Sequence, residues 1–149
     1  GSGRDSVFFA NQGFEVVAID GSQNLIDLAK QTDTRIDWQC MTFDEIATQS
    51  WKNQFTGIWA CASLLHVPFD DLSKILNELI TCLKPNGVLY ASFKYGDSER
   101  EKDGRFFCDM NEGKLESAKA LKIWQTIDNR VDRQEIWWNI ILLKLSNLG

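Results

Sequence analysis

Two glycines and one carboxylate near the start of the chain stand at a spacing that suits a nucleotide-like ligand. Gly1 and Gly3 flank Ser2, and Asp20 follows Gly3 by 17 positions. That is near the roughly 20-residue offset between a nucleotide-binding loop and the acid that reads its ribose. Glycine lets a backbone approach a ligand closely, because no Cβ stands in the way. A helix starting just after would offer free N–H groups, and a carboxylate accepts hydrogen bonds from two sugar hydroxyls. A short Gly-x-Gly is also an ordinary turn, and Asp20 is also a candidate helix cap, so the rest of the chain must decide. Gly21, the run Met41-Thr42-Phe43, and Ser63-Leu64 all fall at or just beyond the ends of apolar runs. Phe43 also reads as a core residue. His66 is the only histidine, hence the only imidazole able to act as a general base; a substrate contact or a packed ring are the other readings. Arg100, Lys102 and Arg105 crowd a polar stretch that could hold an anionic substrate or simply face water.

The elements that must position these residues fit one domain, residues 1–149. The net charge of −5 argues against nucleic acid as a partner and against docking on an anionic membrane. No apolar stretch reaches the roughly 20 residues of a membrane span. The four cysteines, at 40, 61, 82 and 108, form no Cys-x-x-Cys pair, so zinc spacing is absent and no metal site is expected. Cys40, Cys61 and Cys82 sit in apolar runs and are expected to be buried, reduced thiols, which points to the cytoplasm.

Residues 4–12 predict a helix with Val7, Phe8 and Ala10 inward and Gly13 as its stop. Residues 14–19 predict a strand covered on both faces. Ser22 caps a second helix carrying Leu25, Ile26, Leu28 and Ala29. Residues 36–41 predict a strand with Ile36, Trp38 and Cys40 alternating, and 44–50 a loop or helical turn. Residues 55–62 predict another strand. Asp70 or Asp71 then opens the clearest helix, with Leu72, Ile75, Leu76, Leu79, Ile80 and Leu83 on one face. Lys84 suits its last turn, and Pro85-Asn86-Gly87 ends it. Residues 88–93 predict a strand, 95–105 a loop and 106–110 a short apolar segment. Asn111 caps a helix carrying Leu115 and Ala118. Residues 121–127 and 137–145 predict an antiparallel hairpin joined by the charged stretch 128–135. Strands alternating with helices define an α/β fold: a doubly wound, mainly parallel sheet with a C-terminal antiparallel hairpin and helices on both faces. Such sheets bind ligands beyond the carboxyl ends of their strands, where the candidate residues are expected to converge.

Four motifs taken in order resemble a class I S-adenosylmethionine-dependent methyltransferase with its Rossmann-like fold. Gly1-Ser2-Gly3-Arg4-Asp5 resembles the end of that family's Gly-rich loop. Val17-Ala18-Ile19-Asp20 resembles its second strand and ribose-binding acid. Cys61 to Pro68 resembles the segment after its fourth strand, and Leu83-Lys84-Pro85-Asn86-Gly87-Val88-Leu89 its helix-to-fifth-strand junction. The flavour is that of small, tellurite-resistance-like and general small-molecule methyltransferases. The resemblance implies S-adenosyl-L-methionine as cofactor and a small-molecule methyl acceptor. It implies Asp20 and Gly21 at the ribose and Gly1 and Gly3 at the methionyl part. Met41, Thr42 and Phe43 would flank the adenine, and Ser63 and Leu64 would line the donor methyl, with His66 nearby as the catalytic candidate.

The family places an apolar strand ahead of the Gly-rich loop, between the strands 14–19 and 55–62, and the sequence begins after it. The two strands are therefore expected to pair directly or to be covered by a second copy of the chain, the homodimer being the favoured closure. Two rival functions stand beside the enzyme. One is a non-catalytic module of the same fold. The other is a nicotinamide-dependent dehydrogenase, ranked last because a Tyr-x-x-x-Lys pair is expected to be absent and because the chain carries the terminal hairpin.

Overall fold

A computed structural model describes residues 3–118, 124–131 and 137–145, which fall into two compact units, residues 1–49 and 50–149. The expected positions Gly1 and residues 121–123 and 132–135 lie outside the described residues.

In the first unit, helix α1 (Arg4–Asn11) leads to strand β1 (Val17–Asp20), helix α2 (Gln23–Lys30), strand β2 (Asp37–Cys40) and a 3₁₀ turn, Phe43–Thr48. Helix α1 ends in a Schellman motif: Gly13, at φ 95°, donates to Ala10 O and Phe14 N to Phe9 O. That bond ties Phe14 to the helix end, so the strand starts three residues later than expected. Ser22 caps α2 as predicted, its hydroxyl accepting from Leu25 N at 3.3 Å. Strands β1 and β2 pair in parallel, Val17 against Asp37 through Asp20 against Cys40. Ile26, Ala29, Ile36 and Trp38 form the core, with Val7, Ala10, Val16 and Ala18 against it. Phe8, Leu25 and Leu28, expected inside, are exposed. Each is one step around its helix from the residues that reach this small cluster. Every β1 residue is half-buried rather than covered on both faces. Cys40 closes β2 beyond the cluster and is exposed, not buried.

The second unit carries β3 (Phe55–Ala60), α3 (Phe69–Cys82), β4 (Leu83–Lys94), the hairpin β5 (Glu99–Lys102) and β6 (Arg105–Cys108), α4 (Glu112–Ala118), β7 (Trp124–Val131) and β8 (Trp137–Lys144). Its main sheet runs β3-β4-β8-β7. Strand β4 is parallel to β3 and antiparallel to β8, which is antiparallel to β7. Strand β8 is thus inserted between β4 and β7, with which it forms the expected terminal hairpin. Helix α3 buries Leu72, Ile75, Leu76, Leu79 and Ile80 against β4 and α4. Each such side chain contributes roughly 1.5–3 kcal/mol.

Helix α3 stops at Cys82, so Lys84 lies past it. Leu83 already pairs with Phe55, and the register then shifts before Gly57 meets Val88. Residues 84–87 sit in that shift with Asn86 at φ 67°, a bulge inside a long strand rather than a break. Cys61 is exposed because β3 ends one residue before it. The expected loop 95–105 is largely a hairpin. Asp103 and Gly104, at φ 53° and 75°, form its two-residue turn, the arrangement Asp-Gly favours between antiparallel strands. Asn111 caps α4 as expected, its Oδ1 accepting from Lys114 N at 3.0 Å, and Leu115 and Ala118 are buried.

Candidate functional site

Each unit holds part of the expected set. In the first, Gly3 precedes α1 with φ 87° and ψ 6°. A Cβ there would stand 2.6 Å from Trp38 Cη2, so both the backbone and the indole demand glycine. Trp38 is fixed in turn by Nε1, which donates to Asp33 O at 2.8 Å. Asp33 itself is held by Arg35: its Oδ1 accepts from Arg35 N and Nε, both at 3.0 Å, and its Oδ2 from Nη2 at 2.6 Å. These bonds hold the Asp33 carboxyl below its ordinary value, with the side-chain bond the largest cause. Sequence reasoning missed this pair; its signal was only an Asp two positions before an Arg.

Asp20 ends β1, and its Oδ1 accepts from Ser22 N at 2.8 Å, an Asx turn that aims the carboxylate at the strand's carboxyl end. Its backbone oxygen accepts from Met41 N at 2.9 Å. The parallel register therefore brings the ends of β1 and β2, with Gly21 and Met41-Thr42-Phe43, to one edge of this unit. A cleft there is lined by Gly3, Ser6, Ala18, Asp20, Leu25 and Trp38 among others. Gly3 and Asp20 do share one concavity. Met41 is buried. The Thr42 hydroxyl donates to Glu45 Oε1 at 3.1 Å, so it also serves the 3₁₀ turn.

In the second unit, β3 is followed by Ala62 at φ 51°, a left-handed conformation unusual for a residue with a Cβ. The Ala62 N–H donates to the Ser92 hydroxyl at 2.7 Å, and Ser92 is 2% exposed. Ser92, which sequence reasoning did not single out, anchors this strained turn to β4. Ser63 follows half-buried, while Leu64 is fully buried in the core, so its side chain supports the loop from beneath. His66 ends the short 3₁₀ turn Leu64–His66. Its Nδ1 lies 2.7 Å from Phe106 O and its Nε2 2.8 Å from Arg105 Nη2. Arg100 pairs with Asp109 at 2.5 Å, and Gly96 packs so closely that a Cβ would fall 2.7 Å from Asp109 Oδ2.

A Tyr-x-x-x-Lys spacing, expected to be absent, is present at Tyr90 and Lys94, but on β4. Four residues along a strand span about 13 Å, whereas one helical turn would bring them together. The Tyr90 hydroxyl donates to Asn139 Oδ1 at 2.6 Å, and the Lys94 ammonium lies 4.3 Å from the Phe107 ring centroid. The spacing is not a dehydrogenase pair.

The methyltransferase-domain family matches residues 1–87 of the chain, and the chain belongs to it. Its fold is that of class I S-adenosylmethionine-dependent methyltransferases. It is similar to the 1,6-didemethyltoxoflavin-N1-methyltransferase of Burkholderia thailandensis, solved with 1,6-didemethyltoxoflavin and S-adenosylhomocysteine bound. The two share 21% identity over 98% of this chain and 68% of that one, with a TM-score of 0.77. A methyltransferase from Methanosarcina mazei gives a TM-score of 0.77 at 17% identity, over 97% of this chain and 89% of that one. The magnesium protoporphyrin IX methyltransferase of Synechocystis PCC 6803, solved with S-adenosylmethionine, gives 0.73 at 14% identity, over 97% and 66%. A comparison with curated proteins found no match. No helix among the described residues is long and apolar enough to cross a membrane, and no group of three or more metal-ligating side chains occurs among them.

Proposed function

We propose that this protein is an S-adenosylmethionine-dependent methyltransferase acting on a small molecule in the cytoplasm. The observation that carries the reading is the cleft shared by Gly3 and Asp20 in a chain of the methyltransferase family. The residues fit the group locally: a glycine turn that admits no side chain opens a helix, and a strand-ending carboxylate lies beside it. Asp20 and Gly21 would hold the ribose hydroxyls, Gly3 (with Gly1) the methionyl end, and Met41, Thr42 and Phe43 the adenine. Ser63 and Leu64 would shape the loop at the reacting methyl. When bound, S-adenosylmethionine supplies an electrophilic methyl group. Positioning of the acceptor supplies much of such a rate, roughly 7–11 kcal/mol at best, so His66 would assist by taking the acceptor's proton on Nε2. A homodimer is the association this reading favours.

Isothermal titration with S-adenosylmethionine and with S-adenosylhomocysteine tests the reading. Micromolar binding of both is expected. No heat with either would favour the rival, a non-catalytic module of the same fold.

A further inference from the structure

Helix α1 carries the glycine turn of the cleft, yet burial does little to hold it. None of its residues is buried; Val7 and Ala10 pack half-buried on the core of the first unit. Gly3 caps the helix without a side chain. The loop between α2 and β2 supplies the missing anchorage.

Arg35, in that loop, bonds in two directions. Its Nε and Nη2 grip the Asp33 carboxylate at 3.0 and 2.6 Å. Nη2 also donates to Oδ1 of Asn11, the last residue of α1, at 2.7 Å. The two Nη2 hydrogens thus have one acceptor each. Asp33 carries the grip to the other end of the helix. Its backbone oxygen accepts from Trp38 Nε1 at 2.8 Å, and the Trp38 ring fills the space that a Cβ would take at Gly3. One loop therefore meets α1 at both ends, Asn11 directly and Gly3 through the indole. The helix has eight residues, a length of about 12 Å. Contacts at its two ends fix its tilt, whereas one contact at its middle would let it swing. A planar guanidinium holds both directions at once, and a lysine ammonium, a point charge, does not.

Gly3, Ser6, Asp20 and Trp38 line the same cleft, and Arg35 lies outside that lining. We propose that Arg35 is a positioning residue for the methionyl end of the donor: its brace on α1 keeps the Gly3 turn at its place beside Asp20. The adenosine end rests on Asp20, whose bonds to Ser22 N and Met41 N do not pass through α1. Loss of the brace should therefore be felt at one end of the donor only. The inference rests on the methyl-transfer reading for its ligand, while the brace itself is measurable in the free protein.

Two probes separate the ends of the donor: S-adenosylhomocysteine, and 5′-methylthioadenosine, which lacks the amino-acid part. Arg35→Ala should weaken S-adenosylhomocysteine at least tenfold and 5′-methylthioadenosine less than twofold. Arg35→Lys should recover little of the loss. Asn11→Ala, which spares the Asp33 grip and the fold of its loop, should show the same selectivity at smaller size. In the free protein, the Val7 amide, bonded to Gly3 O at 3.0 Å, should exchange at least tenfold faster in Arg35→Ala relative to the Ile26 amide, bonded to Ser22 O at 3.1 Å at the start of α2. Equal weakening of both probes, unchanged S-adenosylhomocysteine affinity in Arg35→Ala, full recovery by Arg35→Lys, or an unchanged ratio of Val7 to Ile26 exchange would overturn the brace alone. A parent protein that binds neither probe sinks the methyl-transfer reading, and the role of Arg35 with it.

Discussion

Gly3→Ala isolates what the start of α1 requires. Two costs add. A Cβ residue at φ 87° carries a left-handed penalty of about 1–2 kcal/mol, partly offset by about 0.4–1 kcal/mol from a stiffer unfolded chain. The new methyl would also lie 2.6 Å from Trp38 Cη2, far inside the roughly 3.5–4.0 Å of a carbon contact. Trp38 is 8% exposed, packed on Ile26, Ala29 and Ile36, and pinned through Nε1. It has nowhere to go without about 1–3 kcal/mol of overpacking strain. The sum is about 2–4 kcal/mol. Gly13→Ala is the control: φ is 95° but nothing lies within 4 Å of its Cβ, so only the backbone term applies, about 1 kcal/mol. Urea unfolding followed by circular dichroism compares the two. Equal losses within about 0.5 kcal/mol, the usual additivity error, would refute the role of the Trp38 contact.

Four further outcomes follow from the same geometry. Asp20→Ala should weaken S-adenosylmethionine by about 1–3 kcal/mol, the scale of charged hydrogen bonds; an unchanged dissociation constant by calorimetry would remove Asp20 from the site. His66→Ala should fold normally and, with an identified acceptor, lower kcat by about 10²-fold or less; complete loss of turnover with donor binding intact would assign the histidine a larger role. Asp33 has a folded-state pKa depressed by Arg35, so the stability it contributes is present above the ordinary carboxylate range and lost as pH falls below about 4. Arg35→Ala should flatten that part of the urea-midpoint profile, and an identical acid limb in the variant would contradict it. For association, light scattering at micromolar concentration should exceed the 17.0 kDa of one chain, and a clean monomer would exclude the dimer.

The sequence by itself determined the alternation of strands and helices, the Ser22 and Asn111 caps, the apolar face of α3 and the terminal hairpin. These depend on spacing and local hydrogen bonding, which act within a few residues. It also brought Asp20 within reach of Gly3, because a strand end and a helix start recur at a fixed offset. Tertiary structure alone decided the rest. Whether Phe8, Leu28 or Cys40 is inside depends on how far a small core extends, and periodicity does not carry that length. The reason for Gly3 is Trp38, 35 positions away, and the reason for the Ala62 turn is Ser92, 30 positions away. The hairpin at Asp103-Gly104 was legible from its turn pair, yet its charged strands hid it. His66 drew notice as the only histidine, but its ring partners, Phe106 and Arg105, come from that hairpin about 40 positions away. Partners so distant in sequence meet only when the chain folds, and local spacing carries no signal for them.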